Sequence, residues 1–438
     1  MKKLFFWGLI LHILYNLIIL STNNIISPAW NSKDENKTNL LSRYLIDTKS
    51  YIDAADNYIK YGVFGKKNNP DYHRTIGYPY IIYLFKSFFG NYWYISLTIF
   101  QTLIGALIYP LSFLIGRIFY PKNEKAIFWA VVMMMLLGGY FTKSLYVLTD
   151  MPFSVFFLAG IYFNLLAVIK KKNIFYIIIG FFLISIAALI RPVLILYPIA
   201  HFLILIYISK QYKTWHFRII RKVVILSSLL LMVTINFSSF KMYYYYKTLT
   251  PTDILGINMF NYTVRNILTN EGELQKYFKL EEKINNEKDW LIKDIERKKI
   301  FYKTIKKHPL TAILFWIERG AAVHLFYPHY MQIGEIFGYY NKSVTGRNKK
   351  MQKTVFMQTV LYVFAGINII IFLFFIFYLV KQLIFYKRFL FTIAIICIVF
   401  LVLGPSFLAP TAPRMRLPIE PFIFIFAFQY ISSKFIHS

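Results

Sequence analysis

Apolar runs of about 20 residues recur along this 438-residue chain, and they constrain the fold more than any other feature. A helix of that length crosses the hydrocarbon layer of a bilayer, which is about 30 Å thick. Hydrophobic residues make up 57% of the chain and charged residues only 16%, a balance that excludes an ordinary soluble enzyme of this size. We therefore predict an all-α protein, a polytopic membrane helix bundle.

About ten spans are predicted, and the basic loops between them set their orientation. Lys2 and Lys3 place the amino terminus in the cytoplasm, and the basic loops 121–125, 170–172 and 210–222 fall on the same side. The net charge of +30 is interpreted as orientation of the spans and contact with headgroups of the lipid bilayer, with no nucleic acid as a partner. The predicted spans are 4–20, 93–119, 126–137, 151–169, 174–190, 193–208, 223–240, 355–380, 390–408 and 419–436.

The spans divide the chain into three regions. They are an N-terminal membrane module of seven spans at 1–240 with a catalytic first outer loop at 23–92, an extracytoplasmic region with interfacial helices at 241–354, and a C-terminal module of three spans at 355–438. Within the second region, the apolar run 310–326 carries Glu318 and Arg319. Because charges inside a span are costly, we expect this run to be interfacial. If it crosses the membrane, everything after it inverts.

A polar stretch, residues 47–84, lies between the first two long apolar segments. Asp47, Tyr51 and Ala55 follow at steps of four, which places them on one face of a helix. A carboxylate at the membrane surface can act as a general base or hold a divalent cation. The alternative is that Asp47, Asp53 and Asp56 form a solvated helix face.

Two further polar positions lie at the ends of predicted spans. Asp150 starts an apolar helix, where helix capping and the helix dipole are enough to explain a carboxylate. The alternative is that Asp150, at the outer end of the helix bundle, contacts a metal ion or the acceptor. Arg191 precedes Pro192 at a break between two apolar helices. An arginine there could extend to the lipid headgroups or belong to the site.

Arg414 and Arg416 lie between Pro413 and Pro418, on the outer side of a ten-span bundle. Two arginines outside run against the positive-inside bias, and a guanidinium suits phosphate. His12, Asn16 and His201 lie within spans without metal-ligand spacing, so we interpret them as core polar groups satisfied locally. No Walker loop is present, so a lipid-linked donor fits better than a nucleotide sugar.

Five motifs together resemble a known family, the GT-C glycosyltransferases that use polyprenyl-phosphate sugars, especially bacterial relatives of protein O-mannosyltransferases and of the lipid A aminoarabinose transferase. In order, they are Asp47 with Tyr51 and Ala55, Arg-Thr-Ile-Gly-Tyr-Pro at 74–79, Leu-Thr-Asp at 148–150, Leu-Ile-Arg-Pro at 189–192, and Arg-Met-Arg-Leu-Pro-Ile-Glu-Pro at 414–421. Ile76 replaces the family's proline, and Thr48 follows Asp47 in place of a second acid. These departures bear on whether the acceptor is a protein.

The resemblance implies that Asp47 is the catalytic base and Asp150 a second acid of the site. We expect an inverting, mannosyltransferase-like enzyme that moves a sugar from polyprenyl phosphate to a hydroxyl of an envelope lipid, glycan or protein. Its site would lie on the outer face of the cytoplasmic membrane. A divalent cation, Mg²⁺ or Mn²⁺, at Asp47 and Asp150 is a further expectation. The expected substrate-binding residues are Tyr51, His73, Arg74, Tyr78, Arg191, Arg414 and Arg416. Arg414 and Arg416 are the first choices to stabilise the leaving lipid phosphate, with His73, Arg74 and Lys67 behind them.

Two other classes stay open. A transporter or flippase of lipid-linked sugars would share the spans, but it would place acids or broken helices near the bilayer midplane. A relative of O-antigen polymerases or ligases would also carry arginines outside the membrane. The Asp47 pattern is not expected in that class.

Overall fold

The computed structural model describes a predominantly helical chain. An antiparallel pair of two-residue strands, Gly65–Lys66 and Asn69–Pro70, is its one sheet within the described residues. The prediction of an all-α membrane bundle is confirmed. The described residues are 1–22, 45–66, 69–70, 73–137, 139–169, 173, 175–194, 197–198, 202, 217–247, 249, 252–321, 355–384 and 413–435.

The first half of the chain forms seven described helices, and all of them except α2 match the apolar pattern closely. They are α1 (Lys2–Thr22), α2 (Leu45–Tyr61), α3 (Gly77–Phe89), α4 (Trp93–Phe119), α5 (Glu124–Leu137), α6 (Asp150–Ile169) and α7 (Phe175–Ile190). A short 3₁₀ turn, Gly90–Tyr92, joins α3 to α4, and the two helices form one apolar stretch of 43 residues.

The second half continues with nine described helices. They are α8 (Phe217–Ile235), α9 (Phe237–Tyr246), α10 (Ile254–Asn258), α11 (Arg265–Asn270), α12 (Leu274–Asn286), α13 (Trp290–Lys307), α14 (Pro309–Phe315), α15 (Val355–Ile384) and α16 (Glu420–Phe435). The predicted span 223–240 is divided at Asn236 between α8 and α9. Most of the predicted span 193–208 and all of 390–408 lie outside the described residues.

By length and composition, three described helical stretches are able to cross a membrane. They are Gly77–Phe119, Asp150–Ala167 and Tyr362–Ile384, and the bent pair Ile225–Thr234 and Phe237–Tyr246 would make a fourth. The shorter helices of the bundle, such as α7, pack against these. The total of ten spans stays a prediction.

Helix packing at the centre of the bundle depends on close backbone approach. An added Cβ on Gly160 of α6 would lie 2.9 Å from the carbonyl oxygen of Gly180 on α7. Only glycine leaves room for helices this close, which is a common device where helices pack in lipid. The α6–α7 pair therefore forms a rigid support for the two residues at its ends, Asp150 and Arg191.

Residues 252–321 form a separate small helical unit with its own core, which we call the helical unit. Phe260, Tyr277 and Phe301 are buried in that core. Pro309 occupies the first turn of α14 and separates it from α13, as the sequence predicts. The apolar run from 310 continues as a π-helical turn, Trp316–Ala321, and the remainder of the predicted interfacial run lies outside the described residues.

Candidate active site

Helix α2 has a buried face and a solvated face. Tyr51 and Ala55 are buried, whereas Asp53 and Asp56 are exposed, and Asp56 forms an ion pair with Lys86. Asp53 and Asp56 therefore lie on a solvated face, and the role of Asp47 stays a prediction. Asp47 lies in the first turn of α2, one helical turn before Tyr51, and its side chain lies outside the described residues.

The start of α2 lies beside the segment that leads into α6. Thr48 Oγ1 donates a hydrogen bond of 3.3 Å to the carbonyl oxygen of Val147. Val147 is three residues before Asp150 in the chain. The backbone next to Asp47 is therefore held close to the turn that presents Asp150, in line with the sequence prediction that both acids share one site.

Arg74 is fixed by two residues of α2. Its Nε donates to Ser50 Oγ at 2.6 Å and its Nη1 to the Tyr51 hydroxyl at 3.3 Å. The guanidinium also lies 4.4 Å from the centre of the Tyr51 ring, a cation–π contact. This arrangement joins two predicted substrate-binding residues and adds Ser50, which the sequence motifs do not indicate.

The motif at 74–79 packs closely against the carboxyl-terminal end of α7. Thr75 Oγ1 donates to the carbonyl oxygen of Ile190 at 3.2 Å. A Cβ on Gly77 would lie 2.5 Å from the carbonyl carbon of Leu189, so only glycine fits at this contact. Arg74 and Arg191 are consequently presented by one packed unit.

Asp150 and Arg191 form an ion pair in which the carboxylate is buried and the guanidinium is partly buried. Arg191 Nη1 lies 3.2 Å from Asp150 Oδ1, with 14% of the Arg191 side chain and 1% of the Asp150 side chain exposed. The guanidinium also lies 5.7 Å from the centre of the Phe153 ring. The alternative in which Arg191 extends to the headgroups is wrong, because a buried carboxylate requires a cationic partner.

Tyr78 connects Tyr51 of α2 to the loop between α5 and α6. Its hydroxyl donates to Gln101 Oε1 at 3.0 Å, and Gln101 Nε2 donates to the carbonyl oxygens of Ser144 and Tyr146 at 3.1 and 2.9 Å. The Tyr51 ring packs edge-on against Tyr78 with 5.1 Å between centres. Gln101 is a second residue that the motifs do not indicate, although a lone glutamine within an apolar span is itself a signal.

His12 and Asn16 stabilise the same loop from α1. His12 Nδ1 lies 3.1 Å from Ser144 Oγ, Ser144 Oγ donates to Asn16 Oδ1, and Asn16 Nδ2 donates to Thr102 Oγ1. Both residues are buried in the core, and Asn16 is hydrogen-bonded through both side-chain atoms, whereas His12 Nε2 has no hydrogen-bond partner among the described residues. His201 lies outside the described residues.

Arg416 is the described member of the C-terminal arginine pair. Its Nε donates to Glu420 Oε1 at 2.9 Å, and both side chains are buried. The Tyr140 hydroxyl bonds the carbonyl oxygen of Leu417, which ties the 3₁₀ segment Pro413–Ile419 to the loop before α6. This segment also packs against α6. The Arg414 side chain lies outside the described residues.

His73 faces the helical unit. Its Nδ1 lies 2.7 Å from Asp253 Oδ1, and the Asp253 side chain is 7% exposed. Asp294 of the same unit is also buried, and burial raises its pKa although Lys298 opposes the shift. His73 therefore links the outer loop to the helical unit. Lys67 lies outside the described residues.

No group of three or more His, Cys, Asp or Glu side chains in the described part of the chain is arranged to hold a metal ion. Asp47, one of the two expected ligands, is not among the side chains described. Asp150 Oδ1 already carries the Arg191 guanidinium. A metal at this carboxylate would compete with that cation.

The all-α membrane bundle agrees with the polytopic GT-C glycosyltransferases that the sequence motifs resemble. A family model supports this class: the model described as dolichyl-phosphate-mannose-protein mannosyltransferase matches residues 36–250. The matched region covers just under half of the chain and includes α2 to α7, and with them Asp47, Arg74, Asp150 and Arg191. The chain is a membrane glycosyltransferase of the mannosyltransferase type. Neither the curated proteins nor the solved structures provide a significant match.

Proposed function

We propose that the protein transfers a sugar from a polyprenyl-phosphate donor to a hydroxyl of an envelope lipid, glycan or protein, with inversion, at the outer face of the cytoplasmic membrane. The observation that carries this proposal is the convergence of the Arg74–Tyr51 stack and the Asp150–Arg191 pair at the end of the bundle where α2 begins. The matched family supports a lipid-phosphate donor.

In the proposed reaction Asp47 accepts the proton of the acceptor hydroxyl. The acceptor oxygen then forms a bond to the anomeric carbon while the bond from that carbon to the lipid phosphate oxygen breaks. Attack from the face opposite the phosphate inverts the configuration. The bonding electron pair leaves with the polyprenyl phosphate, so negative charge develops there.

Guanidinium groups would stabilise the charge on the departing phosphate. Arg74 becomes the first candidate, because Ser50 and Tyr51 fix its orientation beside the start of α2. Arg416 moves behind it, since a buried carboxylate, Glu420, already accepts from its Nε. Arg414 and His73 stay predicted contacts.

Asp150 would act through Arg191 by holding that guanidinium towards the site. A divalent cation at Asp47 and Asp150 also stays a proposal. No step is assigned to a metal, because Arg191 occupies one oxygen of Asp150. Transfer assays with and without EDTA, followed by Mg²⁺ or Mn²⁺ addition, test the requirement.

The central test uses the full chain in proteoliposomes with a panel of polyprenyl-phosphate sugars. We expect Asp47→Asn to lower the transfer rate by about 10²–10⁴-fold, the usual contribution of a general base. Asp53→Asn is the matched control, because Asp53 lies on the exposed face of the same helix. Full transfer by Asp47→Asn would refute the base assignment. Sugar that crosses the bilayer while still linked to its lipid would instead support the transporter class.

Sidedness is tested by labelling single cysteines in a chain that lacks Cys397. Asp53→Cys and Tyr92→Cys occupy exposed positions near the site, and Lys122→Cys occupies an exposed position at the opposite end of α4. We expect the first two to react with an impermeant reagent on intact cells and the third only after permeabilisation. The reverse pattern would place the site in the cytoplasm.

A further inference from the structure

A cavity of about 300 Å³ lies at the end of the bundle where α4 ends. Three helices that are distant in the sequence, α4, α15 and α16, form its walls. None of its lining residues belongs to the candidate active site. Its polar lining residues are Tyr120, Tyr378, Lys381, Gln382, Gln429 and Ser433.

The cavity is far from the candidate active site. Tyr120 lies roughly 28 Å along the α4 direction from Gln101, which bonds the loop before Asp150. Ser433 lies roughly 20 Å along α16 from Glu420, the partner of Arg416. On the proposed topology the cavity opens at the cytoplasmic end of the bundle.

Gln382 indicates that a bound molecule fills the cavity. The residue is 7% exposed, and its Oε1 is buried without a hydrogen-bond partner among the described residues. A buried carbonyl oxygen left unpaired is costly, and in native structures such an atom usually bonds a water or a ligand. The group that fills the cavity should therefore donate a hydrogen bond to Gln382.

The other lining groups favour an anion. Lys381 contributes an ammonium group, which also lies 5.8 Å from the centre of the Tyr430 ring. The Tyr120 and Tyr378 hydroxyls bond each other across the wall. Gln429 Oε1 accepts from Asn123 Nδ2 at 3.0 Å. Ammonium, hydroxyl and amide groups together suit phosphate oxygens.

The surroundings of the cavity are also basic. Lys122 and Lys125 are exposed in and after the turn that follows Tyr120. Basic pockets between membrane helices on the cytoplasmic side bind anionic lipid headgroups. The volume is at the lower limit for ligand pockets, which fits a headgroup whose acyl chains stay in the bilayer.

We infer that this cavity binds the headgroup of an anionic glycerophospholipid of the phosphatidylglycerol type. The phosphate contacts the Lys381 ammonium, and a headgroup hydroxyl donates to Gln382 Oε1. The site is distinct from that of the lipid-linked donor, and binding there requires no transfer activity.

Native mass spectrometry of the full-length protein in detergent, titrated with phosphatidylglycerol, phosphatidic acid or phosphatidylcholine, tests the inference. The unaltered protein should bind phosphatidylglycerol best. Lys381→Gln should weaken this binding about fivefold, as expected for one lysine near a lipid surface, and Lys381→Arg should restore it. Lys60→Gln, at an exposed lysine of α2 outside the cavity, is the matched control for surface charge and should bind like the unaltered protein.

Gln382→Leu provides a second variant that keeps the lysine. It should bind phosphatidylglycerol and phosphatidic acid equally, because the preference depends on the headgroup hydroxyl. Three results would overturn the inference: unchanged binding in both the Lys381→Gln and the Gln382→Leu variants, an equal loss in Lys60→Gln, or displacement of the lipid by millimolar inorganic phosphate. Since the readout is binding, its failure leaves the proposed transfer reaction untouched.

Discussion

Two charged clusters in this protein have the same chemistry in different surroundings. Asp150 and Arg191 pair at the end of the bundle with almost no exposure, whereas Glu273 of the helical unit pairs with Lys276 and Lys307, whose side chains are 49% and 55% exposed. Burial makes the first pair costly to break, because the attraction between the two charges is strong where little water screens it. Solvent and salt weaken the second cluster.

The largest expected effect is on the buried pair. Asp150→Ala should lower the free energy of unfolding by roughly 3–5 kcal/mol, because it removes the buried carboxylate that pairs with the Arg191 guanidinium. Thermal unfolding of the protein in detergent measures the change. The double variant Asp150→Asn with Arg191→Gln removes both charges, and it should recover most of the stability while transfer stays lost. A double variant no more stable than Asp150→Ala would show that charge pairing is not what holds these helices.

A smaller effect on the transfer rate is expected at Arg74, where the planar guanidinium forms two hydrogen bonds that a lysine cannot form. Arg74→Lys keeps the positive charge but cannot bond Ser50 and Tyr51 together, so transfer should fall about 10–100-fold. The unfolding temperature should change little. Arg117→Lys, at an exposed pair with Glu124, is the control and should keep full activity. Equal rates for the Arg74→Lys and unaltered proteins would remove Arg74 from the site.

A third prediction concerns the contact between α3 and α7. Gly77→Ala should destabilise the protein by roughly 1–3 kcal/mol, because the new Cβ meets the Leu189 backbone. Gly366→Ala is a control in α15, where a Cβ meets no atom of the described residues within 4 Å. It should be neutral or slightly stabilising, since alanine favours helix. Similar unfolding temperatures for both variants would show that the close contact between Gly77 and the Leu189 backbone does not stabilise the protein.

The smallest effect is expected at the exposed cluster. Hydrogen bonds from Lys276 and Lys307 lower the pKa of Glu273 from 4.5 to about 2. A lowered pKa means that the charged form stabilises the fold above the ordinary pKa and that this contribution is lost as pH falls from about 4.5 to 2. The unaltered protein should therefore lose slightly more thermal stability than Glu273→Gln over that range. Identical pH profiles would show that the pairs contribute nothing measurable.

The sequence predicted the positions of the site residues better than the contacts between them. Asp150 at a helix start and Arg191 at a helix end follow from local pattern, and both positions are as expected. Their ion pair does not follow, because 41 residues separate them and only the packing of α6 on α7 joins them. The pair His73 and Asp253 is still more distant, at 180 residues.

Some missed partners could have been found from spacing. Glu420 follows Arg416 by four residues, the separation at which side chains meet on a helix. Ser50 and Gln101 could not be assigned in this way, since each bonds a residue on another element. Burial and side-chain contact with distant elements decide such roles, and neither is visible in a local motif.

The hydrogen bond from Thr75 to Ile190 also has a consequence for how the protein is made. The last carbonyl groups of a helix need partners from elsewhere, and in lipid this need is stricter than in water. Thr75 supplies the partner for the end of α7, yet the ribosome makes Ile190 115 residues later. We therefore expect the outer loop with Arg74 to leave the ribosome early and to reach its final position late, only after α7 has been inserted.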